Sequence, residues 1–279
     1  MNSDFFEKYE IQKFENDIST DNFDCDDEDL NDFMSKLFIV PTPIGNLEDI
    51  TYRAVRLLKE ADLILAEDTR TSSNLLRHYG IETKLQPYHQ FNEHSVLFNT
   101  LCKIATLDSV CLITDAGTPG ISDPGFMLVR ECAKAGIEVE CLPGPTAVIP
   151  ALVSSGLSCE KFIFEGFLPR KKGRASKMEQ LKNHEYTFVI YESPFRLLKT
   201  LLNLKDTLGK DRMACVSREI SKIHEEHKRG TLGELYAYFS NKNIKGEIVI
   251  SVAGNKAKDD KDISDNDDDM DDNDDNYED

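Results

Sequence analysis

The chain alternates short apolar runs with longer segments in which apolar residues recur every three or four positions. The short runs have the length of buried strands, and the periodic segments have the length of amphipathic helices. The strands predicted in this way are 37–40, 63–66, 109–114, 137–142, 162–167, 187–192, 212–218 and 247–252. The helices predicted between them are 50–61, 72–79, 93–107, 125–135, 146–155, 175–184, 195–208 and 232–239. This alternation predicts an α/β fold with a parallel sheet.

The alternating pattern restarts after Gly156, which predicts two domains. We place the boundary near residues 150–158 and assign residues 37–152 to an N-terminal α/β domain and 153–256 to a C-terminal α/β domain. Residues 1–36 and 257–279 are polar and acidic, and their apolar residues are too few to offset the entropy lost on ordering. We therefore predict a disordered N-terminal extension and a disordered C-terminal tail.

Most of the negative charge belongs to these two ends. Residues 1–36 contain twelve acidic residues and three lysines, a net charge of −9, and residues 257–279 contain thirteen acidic residues and two lysines, a net charge of −11. The whole chain carries −18, so residues 37–256 carry +2. A body close to neutrality can bind a polyanion through local basic patches, and a nucleic-acid substrate is therefore compatible with the charge.

The cysteines, the apolar stretches and the histidines argue against a disulfide-linked protein, a membrane-spanning protein and a zinc protease. The seven cysteines are an odd number without a Cys-x-x-Cys pair, and most lie in apolar runs such as 109–113, which is typical of buried thiols in a reducing compartment. No apolar stretch approaches the length of a membrane span. His224 and His227 lack the spacing of a zinc-protease motif. We predict a cytoplasmic protein without a metal site.

Three loops rich in proline and glycine follow predicted strands: residues 41–46, 115–125 and 142–146. Ligands of parallel sheets bind at the carboxyl ends of the strands, where glycine lets the backbone approach closely. None of these loops has a dinucleotide-binding or phosphate-binding fingerprint, which argues against ordinary NAD and ATP enzymes. The alternative, three unrelated tight turns, is a poor explanation for three such loops in one domain.

Seven segments of the chain resemble the RsmI family of ribosomal RNA methyltransferases. They cover the core, roughly residues 37–253, in the family's order, whereas the two acidic ends lie outside the resemblance. The segments are PTPIGNLEDIT (41–51), AEDTR (66–70), DAGTPGISDPG (115–125), LPGPTA (142–147), FEGFLP (164–169), YESPFR (191–196) and KGE (245–247).

The resemblance implies the tetrapyrrole methylase fold, with two α/β domains and a cofactor cleft between them. It implies an S-adenosylmethionine-dependent enzyme of rRNA processing that methylates the ribose 2′-oxygen of a cytidine in the decoding centre of 16S rRNA. It also implies a homodimer that acts on 16S rRNA or the 30S subunit. The cofactor-binding residues implied by the resemblance are Pro43, Gly45, Asp115, Gly117, Pro119, Ile121, Ser122, Asp123, Thr146, Ala147, Leu168, Tyr191, Glu192 and Ala214.

The segment after the second predicted strand contains candidate catalytic residues. A 2′-hydroxyl is a poor nucleophile until its proton is leaving, so a base assists methyl transfer. Glu67, Asp68 and Arg70 are our candidates to orient the ribose or accept its proton. The structural alternative is that Asp68 caps the following helix and Glu67 pairs with Arg70. The sequence does not decide between these interpretations.

A basic cluster follows the Phe167–Pro169 turn and is our candidate for RNA binding. Its five cations could follow a phosphate backbone, although a charge run is often only a solvated face. The candidate residues are Arg170, Lys171, Lys172, Arg174 and Lys177. Further along, Arg218-Glu219 and Arg229-Gly230 suit either RNA contact or a surface ion pair and a turn. His227 departs from the apolar or aromatic residue that we expect there.

Two other functions fit part of the pattern. The same fold could methylate a small tetrapyrrole, since a fold does not determine function. Alternatively, the chain could be a non-catalytic ribosome-assembly factor that binds RNA and retains the cofactor pocket. The basic cluster has no obvious use with a small substrate, and the intact small-residue loops argue against a pocket without function.

Overall fold

The computed structural model describes residues 35–89 and 93–255. The predicted N-terminal extension and C-terminal tail lie outside the described residues, apart from the few that adjoin the core. Contacts divide the described chain into two compact units. The first unit runs to Ala151 and also includes Arg218–Glu226, and the second contains Leu152–Ser217 and the chain from His227 onward. The return of 218–226 to the first unit is not predicted by the sequence pattern.

The first unit contains a five-stranded sheet. Its strands are β1 (Lys36–Ile39), β2 (Leu63–Ala66), β3 (Leu85–Pro87), β4 (Ser109–Ile113) and β5 (Glu138–Cys141), in the order β3-β2-β4-β1-β5. All four strand pairs are parallel, as the alternating pattern predicts. The sequence prediction missed β3, since three residues that include a glutamine and a proline carry no apolar run.

Helices cover both faces of this first sheet. They are α1 (Tyr52–Glu60), α2 (Thr69–His78), α3 (Glu93–Ala105) and α4 (Phe126–Ala135). The next helix, α5 (Val148–Ser155), contains the point at which the chain passes from the first unit to the second. Successive residues of a strand point to opposite faces, so Leu65 joins one apolar cluster and Ile64 the other. The first cluster includes Leu128 of α4, and the second includes Leu58 of α1. This packing fixes the carboxyl ends of the strands, from which the glycine-rich loops leave.

The second unit contains a mixed sheet. Its strands are β6 (Phe162–Phe167), β7 (Thr187–Glu192), β8 (Met213–Arg218), β9 (Glu226–Thr231) and β10 (Ile248–Val252), in the order β6-β7-β10-β8-β9. Strands β6 and β7 are parallel, but β7 and β10 are antiparallel. A parallel sheet is therefore correct only for the first unit. The prediction also missed β9, whose residues are mostly polar and which lies at a sheet edge.

Three helices pack on the second sheet and complete its core: α6 (Arg174–Lys182), α7 (Leu197–Leu208) and α8 (Leu232–Ser240). Phe188 and Ile250 of the sheet pack with Leu201 of α7 and Phe239 of α8, and all four are fully buried. Helix α8 begins with a capping box, in which Thr231 and Glu234 exchange side-chain and backbone hydrogen bonds.

The cysteines follow their prediction only in part. Cys111, Cys132 and Cys215 are buried, and burial raises the pKa of the Cys111 thiol to about 12. Cys141 and Cys159 are exposed, so the prediction of burial is wrong for them. None of the helices in the described ranges has both the length and the apolar character needed to span a membrane.

Candidate active site

The three predicted ligand loops are joined to each other by hydrogen bonds. The backbone N–H groups of Thr42 and Gly117 each donate to the other residue's carbonyl at 2.9 Å. The Thr42 hydroxyl donates to the Thr114 carbonyl at 2.9 Å, and the Thr118 hydroxyl donates to the Pro145 carbonyl at 3.2 Å. Because β4, β1 and β5 are parallel neighbours, their carboxyl ends meet at one edge of the sheet. The loops of residues 41–46, 115–125 and 142–146 therefore form one surface.

Close packing explains why glycine is needed in these loops. A Cβ added to Gly144 would lie 2.8 Å from Cβ of Pro41. One added to Gly125, which has φ of 132°, would lie 2.9 Å from a methyl group of Leu112. Real Cβ atoms do not approach other carbons so closely, so a larger residue would push the loops apart. The loops are a packed assembly rather than three independent turns.

The residues of the first unit implied as cofactor-binding differ in accessibility. Pro43, Gly117 and Pro119 are buried, whereas Asp123, Thr146 and Ala147 are half-buried. The exposed residues are Gly45, Asp115, Ile121 and Ser122. The buried residues shape the loops, and the exposed and half-buried ones offer atoms to a ligand.

A cleft of about 570 Å³ opens beside two of these loops, within the first unit. Thr146 is the implied cofactor-binding residue that lines it, together with Ile44, which lies between Pro43 and Gly45. Its volume is in the range that binds small molecules. The other lining residues are Asp49, Gly144, Pro145, Ile149, Pro150, Ile220, Ser221 and Glu225.

One wall of this cleft comes from the returning segment 218–226, which sequence reasoning missed. The Ser221 hydroxyl donates to the Asp49 carboxylate, and the Ser221 N–H donates to Glu225 Oε2 at 2.7 Å. Glu219 and Ser221 have φ of 54° and 67°, a left-handed conformation that is uncommon outside glycine. Lys222 lies so close to Gly45 that a Cβ there would overlap its side chain. The contacts of Ser221 with Asp49 and of Lys222 with Gly45 join residues far apart in the chain and leave no local sequence signal.

The arginines noted near this segment are engaged within the protein. Arg218 pairs with Glu226 at 3.1 Å, so its interpretation as an ion pair is confirmed, with Glu226 rather than Glu219 as the partner. Glu219 pairs instead with Lys222 at 2.9 Å. Arg229 donates through Nε to the Ser154 carbonyl at 3.0 Å.

The candidate catalytic segment leaves β2 beside the loop that follows β4. Asp68 caps α2 by accepting from the Arg70 N–H at 2.8 Å, which confirms the capping interpretation. Arg70 pairs with Asp68 at 3.0 Å, so the expected pairing of Glu67 with Arg70 is wrong. Glu67 instead accepts from the Thr114 hydroxyl at 2.7 Å. The hydrogen bond from the Arg70 side chain lowers the pKa of Asp68, which makes Asp68 a weak base.

Carboxyl groups gather around Thr114. Burial, and then the charge of Glu67, raises the pKa of Asp123 to about 6, although a hydrogen bond with the Thr114 side chain opposes the shift. Burial and Glu67 also raise the pKa of Asp115, which accepts a hydrogen bond from the Asp68 backbone. A carboxyl group with a pKa of about 6 exchanges protons near neutral pH, as a general base must. Asp123 is therefore a candidate base, although the sequence resemblance implied only a cofactor-binding role for it.

The second-unit residues implied as cofactor-binding are mostly buried within their own unit. Leu168 and Ala214 are almost fully buried, and the half-buried Tyr191 packs edge-on against Phe164 and Phe167. The Glu192 side chain is fully buried and its two oxygens accept from the Ser193 N–H, the Thr200 hydroxyl and the Arg196 guanidinium. These contacts make Glu192 a structural anchor of the turn that follows β7.

The basic cluster separates into two groups. Arg174 donates to the Pro169 carbonyl at 3.1 Å and to the Thr200 hydroxyl at 2.8 Å, and Lys177 pairs with Glu165. These two cations therefore make stabilising contacts within the protein. Arg170, Lys171 and Lys172 are exposed at the turn before α6. Within the described chain, no cluster of three His, Cys, Asp or Glu residues is placed to hold a metal ion.

Comparison with known proteins defines the class to which this chain belongs. The family model described as tetrapyrrole (corrin/porphyrin) methylases matches residues 36–236. Uroporphyrin III C-methyl transferase from Thermus thermophilus superposes with a TM-score of 0.56 at 18% identity, covering 78% of this chain and 97% of that one. The cobalt precorrin-4 methyltransferase CbiF superposes with a TM-score of 0.57 at 16% identity, covering 83% of this chain and 98% of that one. These structures establish the tetrapyrrole methylase fold.

Relatives found by sequence define the family more narrowly than the solved structures do. A protein of Synechocystis sp. named ribosomal RNA small subunit methyltransferase I is 47% identical over 227 residues, which is 81% of this chain and 81% of the relative. Proteins of the same name from Thermotoga maritima and Escherichia coli O157:H7 are 45% and 44% identical, over 80% and 81% of this chain and 100% and 80% of their own lengths. The chain belongs to this family of ribosomal RNA small subunit methyltransferases I, within the tetrapyrrole methylases.

Proposed function

We propose that this protein is an S-adenosylmethionine-dependent methyltransferase of small-subunit ribosomal RNA and that its acceptor is the ribose 2′-hydroxyl of a cytidine in the decoding centre. The observation that carries the proposal is the hydrogen-bonded assembly of the three loops at the carboxyl edge of the first sheet. Relatives named for methylation of the small-subunit RNA are 44–47% identical to this chain. We further propose that it acts in the cytoplasm as a homodimer, on 16S rRNA or the 30S subunit.

The residues present suit the methyl donor. When bound, S-adenosylmethionine supplies an electrophilic methyl group on a sulfonium, so it needs a site that tolerates a cation and a nucleoside. The close-packed loops expose backbone and small side chains, and the cleft of about 570 Å³ suits a nucleoside-sized molecule. Glu67, Asp115 and Asp123 provide negative charge at the same sheet edge, which favours a cationic ligand. In the first unit we propose Gly45, Thr146, Ala147 and the accessible residues of 115–123 as donor contacts, with the buried Pro43, Gly117 and Pro119 shaping the loops around the donor.

The chain's own residues position the reactants and accept the proton that the ribose hydroxyl loses. Methyl transfer gains most from alignment, which a stiff set of loops provides. As the new O–CH₃ bond forms and the old S–CH₃ bond breaks, the ribose hydroxyl loses its proton. We propose that Asp123, whose pKa is raised to about 6 by burial and by the charge of Glu67, takes up that proton, while Glu67 accepts from the Thr114 hydroxyl. Asp68 keeps the helix start in place and does not act as the base.

Labelled methyl transfer tests this function. The full chain is incubated with methyl-tritiated donor and with 16S rRNA, 30S subunits or a porphyrinoid, and ribose methylation is mapped by primer extension at low nucleotide concentration. Label in a single decoding-centre cytidine is the expected result. Label in the porphyrinoid alone would support the small-molecule alternative. Calorimetry that detects no binding of the donor would support the assembly-factor alternative, and either result would overturn the proposal.

A further inference from the structure

Phe195 is a large apolar side chain that the fold leaves in solvent. It is 97% exposed in the turn between β7 and α7. Burying such a side chain would stabilise the fold, so the exposed position forgoes that contribution. The neighbouring Arg196 faces inward and pairs with the buried Glu192 at 3.2 Å.

The turn that carries Phe195 is fixed to the turn that carries the exposed cations. Arg196 Nη2 donates to the Leu168 carbonyl at 2.8 Å, which joins the turn after β7 to the turn after β6. The two strands are parallel and in register at their ends, where Phe167 pairs with Tyr191. Both turns therefore leave the same edge of the second sheet.

A second set of contacts keeps this edge rigid. The Thr200 hydroxyl donates to Glu192 Oε2 at 2.6 Å and accepts from Arg174 Nη2 at 2.8 Å. Arg174 also holds the Pro169 carbonyl at 3.1 Å. The backbone on either side of the exposed residues is thus anchored by the buried Glu192 and the half-buried Arg174 and Arg196, and the exposed side chains project from a fixed frame.

The exposed residues at this edge are one aromatic ring and three cations. Arg170, Lys171 and Lys172 are exposed, and within the described residues no carboxylate lies within 4 Å of their charged groups. Unpaired RNA offers bases that stack on aromatic side chains and phosphates that pair with cations. Duplex RNA keeps its bases stacked, and a protein partner would not need three adjacent cations. The combination favours single-stranded RNA.

We propose that Phe195 stacks on an unpaired base of the RNA while Arg170, Lys171 and Lys172 bind the phosphates beside it. This inference rests on the proposed RNA substrate and names the contact that selects an unpaired segment. The aromatic ring recognises the unstacked base, and the cations supply the salt-dependent part of the affinity.

Binding measurements with two kinds of variant test this assignment. The full chain is titrated into a fluorescent single-stranded RNA oligonucleotide at several salt concentrations. Phe195→Ala is expected to weaken binding about tenfold or more with an unchanged salt dependence, because base stacking is not ionic. Phe195→Tyr should restore the affinity. The double variant Lys171→Gln, Lys172→Gln should reduce the slope of log affinity against log salt by about 1.4, since each phosphate contact to single strands contributes about 0.7.

Tyr186 provides a matched control. It directly precedes β7, at the opposite end of the strand from Phe195, and is 43% exposed with Lys161 5.6 Å from its ring. Tyr186→Ala removes an exposed aromatic ring beside a cation and should leave RNA affinity unchanged. Binding by Phe195→Ala as tight as that of the wild type would refute the assignment, as would equal losses in Phe195→Ala and Tyr186→Ala.

Two further readouts separate this inference from the proposed function. Binding of S-adenosylmethionine and the far-ultraviolet circular dichroism of Phe195→Ala should match the wild type, because the ring packs against nothing that it would leave empty. A loss of affinity equally large for duplex RNA, or for a ribosomal protein without RNA, would also refute base stacking. A wild-type protein that methylates no RNA would contradict the proposed function instead, whatever the behaviour of Phe195.

Discussion

Replacing Thr114 with valine tests whether one hydroxyl group holds the candidate active site together. Thr114 is 2% exposed and directly follows β4. Its hydroxyl donates its one proton to Glu67 Oε2 at 2.7 Å, and the Asp123 carboxyl lies close enough to compete for that proton. Thr114→Val keeps the branched shape and removes only this link. Its carbonyl, which accepts from Thr42, is unchanged.

The size of the effect follows from the charge and exposure of the partners. A hydrogen bond to a charged group contributes about 1.5–3 kcal/mol to stability. Glu67 and Asp123 are half-buried, so water replaces part of the lost bond and the lower end of that range applies. We expect the free energy of unfolding to fall by about 1.5–2 kcal/mol. Thr114→Ser keeps the hydroxyl and should lose less than about 1 kcal/mol, mainly for the missing methyl group.

Urea unfolding followed by circular dichroism measures these differences, and hydrogen exchange locates them. The amides of residues 114–123 should exchange faster in Thr114→Val than in Thr114→Ser. The stability loss should also shrink at pH 5, because protonated Asp123 no longer repels Glu67 when the bridging hydroxyl is missing. A loss of equal size at pH 5 and pH 7.5, or equal losses for the valine and serine variants, would refute the role assigned to this hydroxyl.

Other variants test separate parts of the structure. The folded pKa of Asp123, about 6, lies above its ordinary value of 3.8, so the stability that Asp123 contributes is present below about pH 4 and is lost as pH rises through 6. In urea titrations at several pH values, Asp123→Asn should not show that loss of stability. A pH profile of Asp123→Asn equal to that of the wild type would contradict the raised pKa. Glu192→Ala leaves Arg196 without its buried partner and should lower the free energy of unfolding by about 3 kcal/mol; unchanged stability with weaker donor binding would instead support cofactor contact. Gly144→Ala should weaken donor binding measured by calorimetry, because its methyl group would displace Pro41; wild-type affinity would show that the loops adjust. Asp68→Asn retains a good helix cap and should keep methyl transfer within about threefold of wild type, whereas a loss of a hundredfold would identify Asp68 as the base.

The sequence predicts strands well where a run of apolar residues marks them. Strands β6 and β7 begin and end at their predicted residues because most of their side chains are apolar, and Gly156 marks the restart of the pattern before β6. Strand β9 escapes prediction because a polar edge strand has neither alternation nor an apolar run. Strand β3 is too short for either signal.

The candidate site is predictable only in part, because some of its features follow from local composition and others from contacts between distant residues. The glycine and proline loops are visible in the sequence because backbone geometry dictates their composition. The pairing of Glu67 with Thr114 joins residues 47 positions apart, and the bond from Ser221 to Asp49 joins residues 172 positions apart. The sequence also groups Arg174 with Lys171 in one basic cluster. In the structure Arg174 donates to a backbone carbonyl, whereas Lys171 is exposed to solvent. Side-chain direction, which separates them, is a property of the folded chain.

The return of residues 218–226 to the first unit limits how this protein can be divided or recombined. A fragment that stops at Ala151 would contain every strand of the first sheet but would lack the side chains that cover Gly45 and bind Asp49. An exchange of halves between two relatives at that position would combine loops from one parent with a covering segment from the other. Successful chimaeras would therefore need three crossovers, one near residue 151 and one at each end of residues 218–226. A substitution in residues 218–226 would therefore be felt in the first unit, although the flanking strands β8 and β9 belong to the second sheet.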